Sequence, residues 1–281
     1  MIIIKAQGGI GNQMFQYALY RKFQRMGYEV SIDDSYYSIK SMHEGFVLNT
    51  VFKNLDININ RKRPVFYKIF MRYGFIKKFY KKINRKIVND FDLEKNMLEI
   101  FSNPDNKYFD GYWHNLIYYN DIFEIIKSDF QFDYSDPIIP NEILLNIKHT
   151  QSVGIHIRRG DYINNALYKD ICTIDYYLKA IKYVSSIHTN SRFYFFSDDI
   201  EWCEHNFKNI NNSTFIKSKK NKSYVDMILM SNCKSMIISN STFSWWGAFL
   251  NLNNDAIIIS PVKFNNKELK SKLVLENWIT I

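Results

Sequence analysis

Glycine and proline are scarce, at ten and five of 281 residues. A collagenous, linker-rich or disordered chain needs far more of one or both, so those classes are excluded. Cysteine is rarer still. Cys172, Cys203 and Cys233 have none of the short spacings that bind zinc and no close mates for a disulfide framework, and reduced thiols fit the cytosol. No run of eighteen or more apolar residues occurs, so no bilayer-spanning helix is expected. The opening "MIIIKAQGGIGNQ" has too short an apolar run for a signal peptide and no positive charge ahead of it. These absences lead to the expectation of a soluble, cytoplasmic protein. What is plentiful is core material: 46% of residues are hydrophobic and 17% aromatic, enough to pack one large domain or two moderate ones.

Acidic residues are missing from one place. Residues 61–86, "RKRPVFYKIFMRYGFIKKFYKKINRK", hold eleven Lys or Arg and no Asp or Glu. Removing those eleven from the 37 basic residues leaves 26 against 28 acidic ones, so this segment carries the whole net charge of +9. Phe66, Tyr67, Phe70, Tyr73, Phe75, Phe79 and Tyr80 interleave with the bases, largely at helical spacing. Two readings stand: a helical insertion whose aromatic stripe packs on its own domain, or a basic amphipathic surface that meets anionic lipid. No RNA- or DNA-binding module pattern accompanies the charge, so nucleic acid is not expected as a partner.

Beyond residue 150, short β-rich runs ("SVGIHI", "RFYFF", "STFI", "SMIIS", "AIIIS") alternate with helical patterns, as in a parallel sheet with crossover helices. The start of the chain opens the same way, with strand "MIIIKA", a glycine turn, a helix closed by Gly27 and strand "EVSID". A strand around "KYFDGYW" and a helix "NLIYYNDIFEIIKSDF" follow. Pro137 and Pro140 mark a linker. The expected fold class is therefore α/β, with two lobes, residues 1–136 and 141–281, on either side of a cleft.

Open parallel sheets bind ligands beyond the carboxyl ends of their strands, and four segments fall there: "QGGIGNQ" (7–13), "RRGDY" (158–162), "SDD" (197–199) and "SNSTFSWWG" (239–247). An arginine fork matches a phosphate, glycine lets backbone amides approach, and a Ser-x-Ser-Thr helix start offers hydroxyls and N–H groups to an anion. Together they suit a diphosphate. Asp198 or Asp226 is a candidate acceptor for a purine ring N–H and amino group, and Phe243 a candidate packing face for base or sugar. Each segment also has a plainer reading. "GGIGNQ" lacks the third glycine of a dinucleotide fingerprint, and Arg-Arg-Gly-Asp can close on itself as an ion pair. "SDD" could be an acidic metal-binding pair but reads first as an ordinary helix N-cap with acids in the first turn, and Trp245 and Trp246 are expected in the core. His156 sits by default in the core, but it shares a strand face with Arg158, two residues on, while Arg159 faces the other way and is expected to prop Asp161 or the loop.

"GGIGNQMFQYA", "VGIHIRRGDY", "FYFFSDD" and "SNSTFSWWGAFLN", in this order, closely resemble the alpha-1,2-fucosyltransferase family, whose bacterial members build surface polysaccharides. The match spans the first strand and helix and nearly all of the second half. Segment 61–86 belongs to none of these motifs. The resemblance implies a GT-B-like enzyme of two Rossmann-like lobes. It would move L-fucose from GDP-fucose to the 2-hydroxyl of a terminal galactose, with inversion and with no metal or other cofactor. The family's arginine motif falls on His156, Arg158, Arg159 and Asp161. By analogy with related protein O-fucosyltransferases, Gly11, Asn12 and Gln13, and Ser241, Thr242 and Phe243, approach the donor; Ser197, Asp198 and Asp226 are separate candidates for the donor site. Arg158 is expected to neutralise the leaving phosphate. Asp161 and Asn12 are candidates for handling the acceptor hydroxyl. A lipid-linked oligosaccharide would give the basic segment a purpose.

Overall fold

The structure is a computed structural model that describes residues 1–38, 44–60, 87–219 and 222–281. The basic aromatic stretch 61–86 lies outside them, so both readings of it rest on sequence. The described chain divides into two compact units, Met1–Gln131 and Phe132–Ile281. The Pro137–Pro140 stretch belongs to the second unit. There Asp136 accepts from the Tyr224 hydroxyl at 2.8 Å and the Ile138 carbonyl accepts from Lys219 at 3.4 Å.

The first unit carries four parallel strands, β1 (Ile2–Lys5), β2 (Val30–Asp33), β3 (Ile87–Val88) and β4 (Tyr108–Phe109), in the order β2-β1-β4-β3. β1 is buried on both faces, which is why it reads as a continuous apolar run rather than an alternating one. The helix Ile10–Arg25 follows it and stops where Gly27 takes φ +87°. Tyr28 N–H then reaches back to the Phe23 carbonyl and Gly27 N–H to Gln24, the paired bonds of a glycine-terminated helix. The segment expected as one helix over "NLIYYNDIFEIIKSDF" is two 3₁₀ turns, Leu116–Tyr118 and Asn120–Ile122, before the helix Phe123–Asp129. The Asn115 side chain accepts from Ile117 N–H, and the Tyr119 hydroxyl donates to the Trp113 carbonyl at 2.8 Å, so side chains bind this stretch back to its own start.

The second unit carries six parallel strands: β5 (Gln151–Ile157), β6 (Ser191–Ser197), β7 (Ser213–Ile216), β8 (Ser235–Ile237), β9 (Ile257–Ser260) and β10 (Ile279–Thr280). Their order is β10-β9-β8-β5-β6-β7. Phe195, Ile155, Ile237 and Ile259 lie side by side across four strands, all fully buried, and form the middle of the core. Gly154 within β5 is explained by what flanks it: a Cβ there would meet Met236 Sδ at 2.5 Å and Cys233 Sγ at 3.0 Å. Trp245 and Trp246 are core residues. Trp245 stacks on Phe249 at 4.9 Å and donates its indole N–H to the Leu273 carbonyl.

In the second sheet the chain order reverses once, between β5 and β8, whereas the order β2-β1-β4-β3 of the first has no single reversal. At such reversals the following connections leave to opposite sides and open a crevice at the strands' carboxyl ends. At the carboxyl end of β1 in the first sheet lies an almost fully buried ion pair, Lys5 Nζ to Asp110 Oδ1 at 2.9 Å. Removing one member strands the other charge in the core. Asp110→Ala is therefore expected to destabilise the protein by about 3–5 kcal/mol in urea unfolding, whereas the double variant Lys5→Met/Asp110→Leu recovers most of that loss.

Candidate functional site

β5 ends at Ile157, on the β8 side of which lies the reversal, and the next residues are the two arginines. Arg158 is clasped on both flanks. Its Nη1 lies 3.0 Å from Asp198 Oδ2, its Nη2 and Nε lie 2.7 and 3.1 Å from Asp161 Oδ1, and its guanidinium sits 5.6 Å over the Tyr162 ring. Burial works against the cation, but Asp198 and Asp161 outweigh it and hold the pKa of Arg158 above its ordinary value. The fork is charged at every working pH.

Arg159 turns away. Its guanidinium lies 3.8 Å over Trp202 and bonds Asp199 Oδ2 at 2.9 Å. The expectation that Arg159 props Asp161 is corrected here, because the 3₁₀ turn Gly160–Tyr162 curls Asp161 back onto Arg158 instead. Arg159 still contributes to the site through its backbone, since its N–H donates to Asp198 Oδ1 at 2.9 Å. Asp198, read from sequence as a purine acceptor, thus grips the end of β5 with one oxygen and the Arg158 fork with the other. The "SDD" segment behaves as the helix-cap reading expects. Asp199 accepts from Trp202 N–H at the start of helix Ile200–Phe207, and Ser197 Oγ accepts from Asp199 N–H.

On the far side of the reversal, β8 runs into Ser239 and the helix Thr242–Phe249, whose N-cap Ser241 accepts from Phe243 N–H at 3.3 Å. His156 meets this turn. Its Nδ1 is 2.9 Å from Ser239 Oγ and its ring centroid 5.3 Å from that of Phe243. Burial, reinforced by the Arg158 charge, pushes the His156 pKa down to about 3, so the ring is neutral. His156, Arg158, Asp161, Asp198, Ser241 and Phe243 therefore belong to one constellation, with Thr242 in the first turn beside it. Asp226 is buried in the first turn of helix Tyr224–Ser231 and accepts from Ser218 Oγ.

The first unit presents a glycine turn just beyond β1. Gly8 takes φ +80°, and a Cβ there would sit 2.4 Å from Asn12 Nδ2, so the turn requires glycine. Gly11 and Asn12 fall in the first helical turn. Gln13, expected near a ligand, uses its amide inside its own unit. It donates to the Gly45 and Gly8 carbonyls at 2.7 and 3.3 Å and accepts from Val47 N–H at 3.0 Å. Ser239, Ser244 and Tyr162 fall inside the segments that the sequence marks, but with no charge they are not singled out as individual site residues. Their only signal is position, just past the ends of β8 and β5.

A parallel-sheet unit with an arginine fork and a helix N-terminus at its reversal is an arrangement suited to a phosphate-bearing ligand. Comparison with solved structures gives the class. The chain resembles the NodZ alpha-1,6-fucosyltransferase soaked with GDP-fucose, with a TM-score of 0.54 at 13% identity over 89% of this chain and 92% of that one, and so has a GT-B fold. The chain belongs to glycosyl transferase family 11, whose model matches residues 1–281. It is 33% identical to the O-antigen biosynthesis glycosyltransferase WbnK of Escherichia coli, over 98% of each chain. It is also 33% identical to an alpha-1,2-colitosyltransferase of Escherichia coli, over 100% of this chain and 99% of that protein.

Two outcomes follow from the geometry. At Gly160 a Cβ would lie 2.6 Å from Asp198 Oδ2, so Gly160→Ala must displace the carboxylate that aims Arg158. Turnover is expected to fall about 10²-fold with the melting temperature little changed, as checked by steady-state kinetics and thermal unfolding of the same preparation. The second outcome concerns pH. Folded His156 takes up a proton only near pH 3 and the unfolded chain near 6.5, so its contribution to stability is complete above about 6.5 and is lost as pH falls toward 3. Urea midpoints at pH 7 and pH 4 should differ more in the wild type than in His156→Asn.

Proposed function

We propose that this glycosyltransferase moves L-fucose from GDP-fucose to the 2-hydroxyl of a terminal galactose on a surface-polysaccharide or oligosaccharide acceptor, inverting the sugar carbon and using no metal. The observation that carries the reading is the Arg158 fork, held by Asp198 at the strand-order reversal beside the Ser241–Thr242 helix start. The GDP-fucose bound by NodZ and the alpha-1,2 linkage named for the colitosyltransferase support the donor and the bond formed.

The step places growing negative charge on the leaving diphosphate as the sugar C1–O bond breaks. A guanidinium opposite that oxygen stabilises the transition state more than the ground state, which raises kcat rather than affinity alone. The backbone and hydroxyls of Ser241 and Thr242 hold the same diphosphate, Phe243 packs on the donor, and Asn12 and Gly11 bring the glycine turn to the substrate. Asp161 handles the acceptor hydroxyl only when it leaves Arg158. An oxocarbenium-like transition state lessens the need for a strong base. A second donor has a specific observation behind it: a relative of 33% identity is named for colitose, the 3-deoxy counterpart of fucose, so GDP-colitose is the competing substrate to assay.

Among the described residues no helix is long and apolar enough to cross a membrane. The charge pattern of 61–86 supports peripheral docking on an anionic cytoplasmic surface, where a lipid-linked acceptor would be met.

Acceptor-dependent GDP release from GDP-fucose, measured with EDTA present over a panel of galactosides, tests the activity. It should persist in EDTA, and in Arg158→Ala it should drop in kcat by about 10²–10³-fold with KM changed far less. Absence of GDP binding would overturn the reading. Reversing the charge of residues 61–86 should abolish co-sedimentation with phosphatidylserine vesicles while leaving activity on a soluble acceptor intact; unchanged co-sedimentation would remove the docking idea.

A further inference from the structure

His156 Nδ1 faces one atom, Ser239 Oγ at 2.9 Å, and Ser239 Oγ in turn faces Ser244 Oγ at 3.2 Å. Both serines are fully buried, so water does not enter the chain. The direction of each hydrogen bond follows from its far end. Ser244 Oγ lies 3.1 Å from the Ser241 carbonyl and 3.3 Å from the Ser239 carbonyl, and carbonyl oxygens only accept. The Ser241 carbonyl also takes the Trp245 N–H, but a helical serine donates by preference to a carbonyl three or four residues back, and the Ser244 hydrogen is assigned there. Ser244 therefore offers Ser239 a lone pair, and Ser239 donates to it. That leaves Ser239 only lone pairs to offer His156, so the imidazole proton resides on Nδ1.

We propose that Ser239 and Ser244 are positioning residues that hold His156 as the Nδ1–H tautomer, so that its Nε2 presents a lone pair to a ligand hydroxyl rather than a proton to a phosphate oxygen. The ring is neutral throughout the working range, so Nε2 does not become a donor by protonation. Among the described residues Nε2 takes no hydrogen bond, while Phe243 packs against the ring and fixes its plane. In a site where Arg158 and a helix start already supply positive charge, an acceptor sorts the ligand: the anion goes to Arg158, and a sugar or ribose hydroxyl goes to His156. Naming that hydroxyl rests on the nucleotide-sugar reading, whereas the tautomer does not.

The test is a long-range proton–nitrogen correlation spectrum of the imidazoles in the nitrogen-15-labelled, ligand-free, full-length protein near pH 7, with His156 assigned by its loss in His156→Gln. A protonated Nδ1 and bare Nε2 are expected. The opposite pattern would overturn the proposal. Ser244→Ala, which does not touch His156, frees the Ser239 hydroxyl to donate to Nδ1 and should switch the ring to Nε2–H; an unchanged ring would show that the serine pair does not set it. If Ser244→Ala does not fold, Ser239→Ala gives the same reading, since free histidine favours Nε2–H. In kinetics Ser244→Ala should raise the KM for GDP-fucose about tenfold with kcat much less affected, the loss of one ligand hydrogen bond. Should the wild type not turn over GDP-fucose, the proposed function fails while the spectrum still decides the tautomer.

Discussion

The carboxylate of Asp198 is the point on which the second unit's site depends. One oxygen accepts the Arg159 backbone N–H and the other faces the Arg158 fork, so a side chain at the end of β6 fixes both the path and the first side chain of the loop leaving β5. β5 and β6 pair along seven residues, which makes the separation of those two strand ends a property of the sheet rather than of the loop. An arginine at the end of a strand would otherwise sample many rotamers, losing on the order of 1.5–2 kcal/mol of side-chain entropy when it binds a ligand. Here much of that ordering is complete before a ligand arrives, which is the sense in which the fork is preorganised.

Much of the architecture was legible because parallel strands buried on both faces must be continuous apolar runs, and the five of the second unit stand out as such between helical stretches. The two-residue strands β3, β4 and β10 were not all legible, since a strand that short has no periodicity. At the site, charge and motif made Arg158, Arg159, Asp161 and the two Ser-Asp-Asp acids visible, but not who pairs with whom. Strand alternation placed Arg158 and His156 on one side correctly. It could not foresee that a 3₁₀ turn bends Asp161 back to Arg158, because the turn breaks the period on which the argument rested. The serine relay was invisible for a different reason: the segment was marked, but the link from Ser244 through Ser239 to His156 depends on a carbonyl geometry that no spacing encodes.

The two units solve the same problem with different materials. Each brings a polar cluster to the carboxyl ends of its strands, where backbone groups leaving the sheet need partners. In the first unit the partners are internal: Lys5 with Asp110, Gln16 with the Gln7 backbone and the Gly111 carbonyl, and Gln13 with Gly8, Gly45 and Val47. Those groups stiffen the glycine turn and leave the backbone near Gly8, rather than side-chain charge, as what the turn presents. In the second unit the partners are ionic and partly open, which suits a site that must exchange one anion for another.

That exchange has a direction built into the exposure of the two acids around Arg158. The Asp161 side chain is 62% exposed and sits on a single 3₁₀ turn, while that of Asp198 is 25% exposed and is tied to the Arg159 backbone. Under the proposed function an arriving diphosphate would displace the weaker holder: an exposed ion pair contributes at most about 1 kcal/mol, far less than a bidentate phosphate contact in a water-poor site. Asp198 stays and keeps the fork aimed. Lysine at this position would preserve the charge but not the arrangement, since one ammonium cannot face Asp198 along one edge and a phosphate along the other with fixed directions. The second carboxylate also costs little in the ground state, because it neutralises the cation until the substrate brings its own charge. Stabilisation is then largest when the leaving oxygen is most negative, which is the differential that accelerates the step.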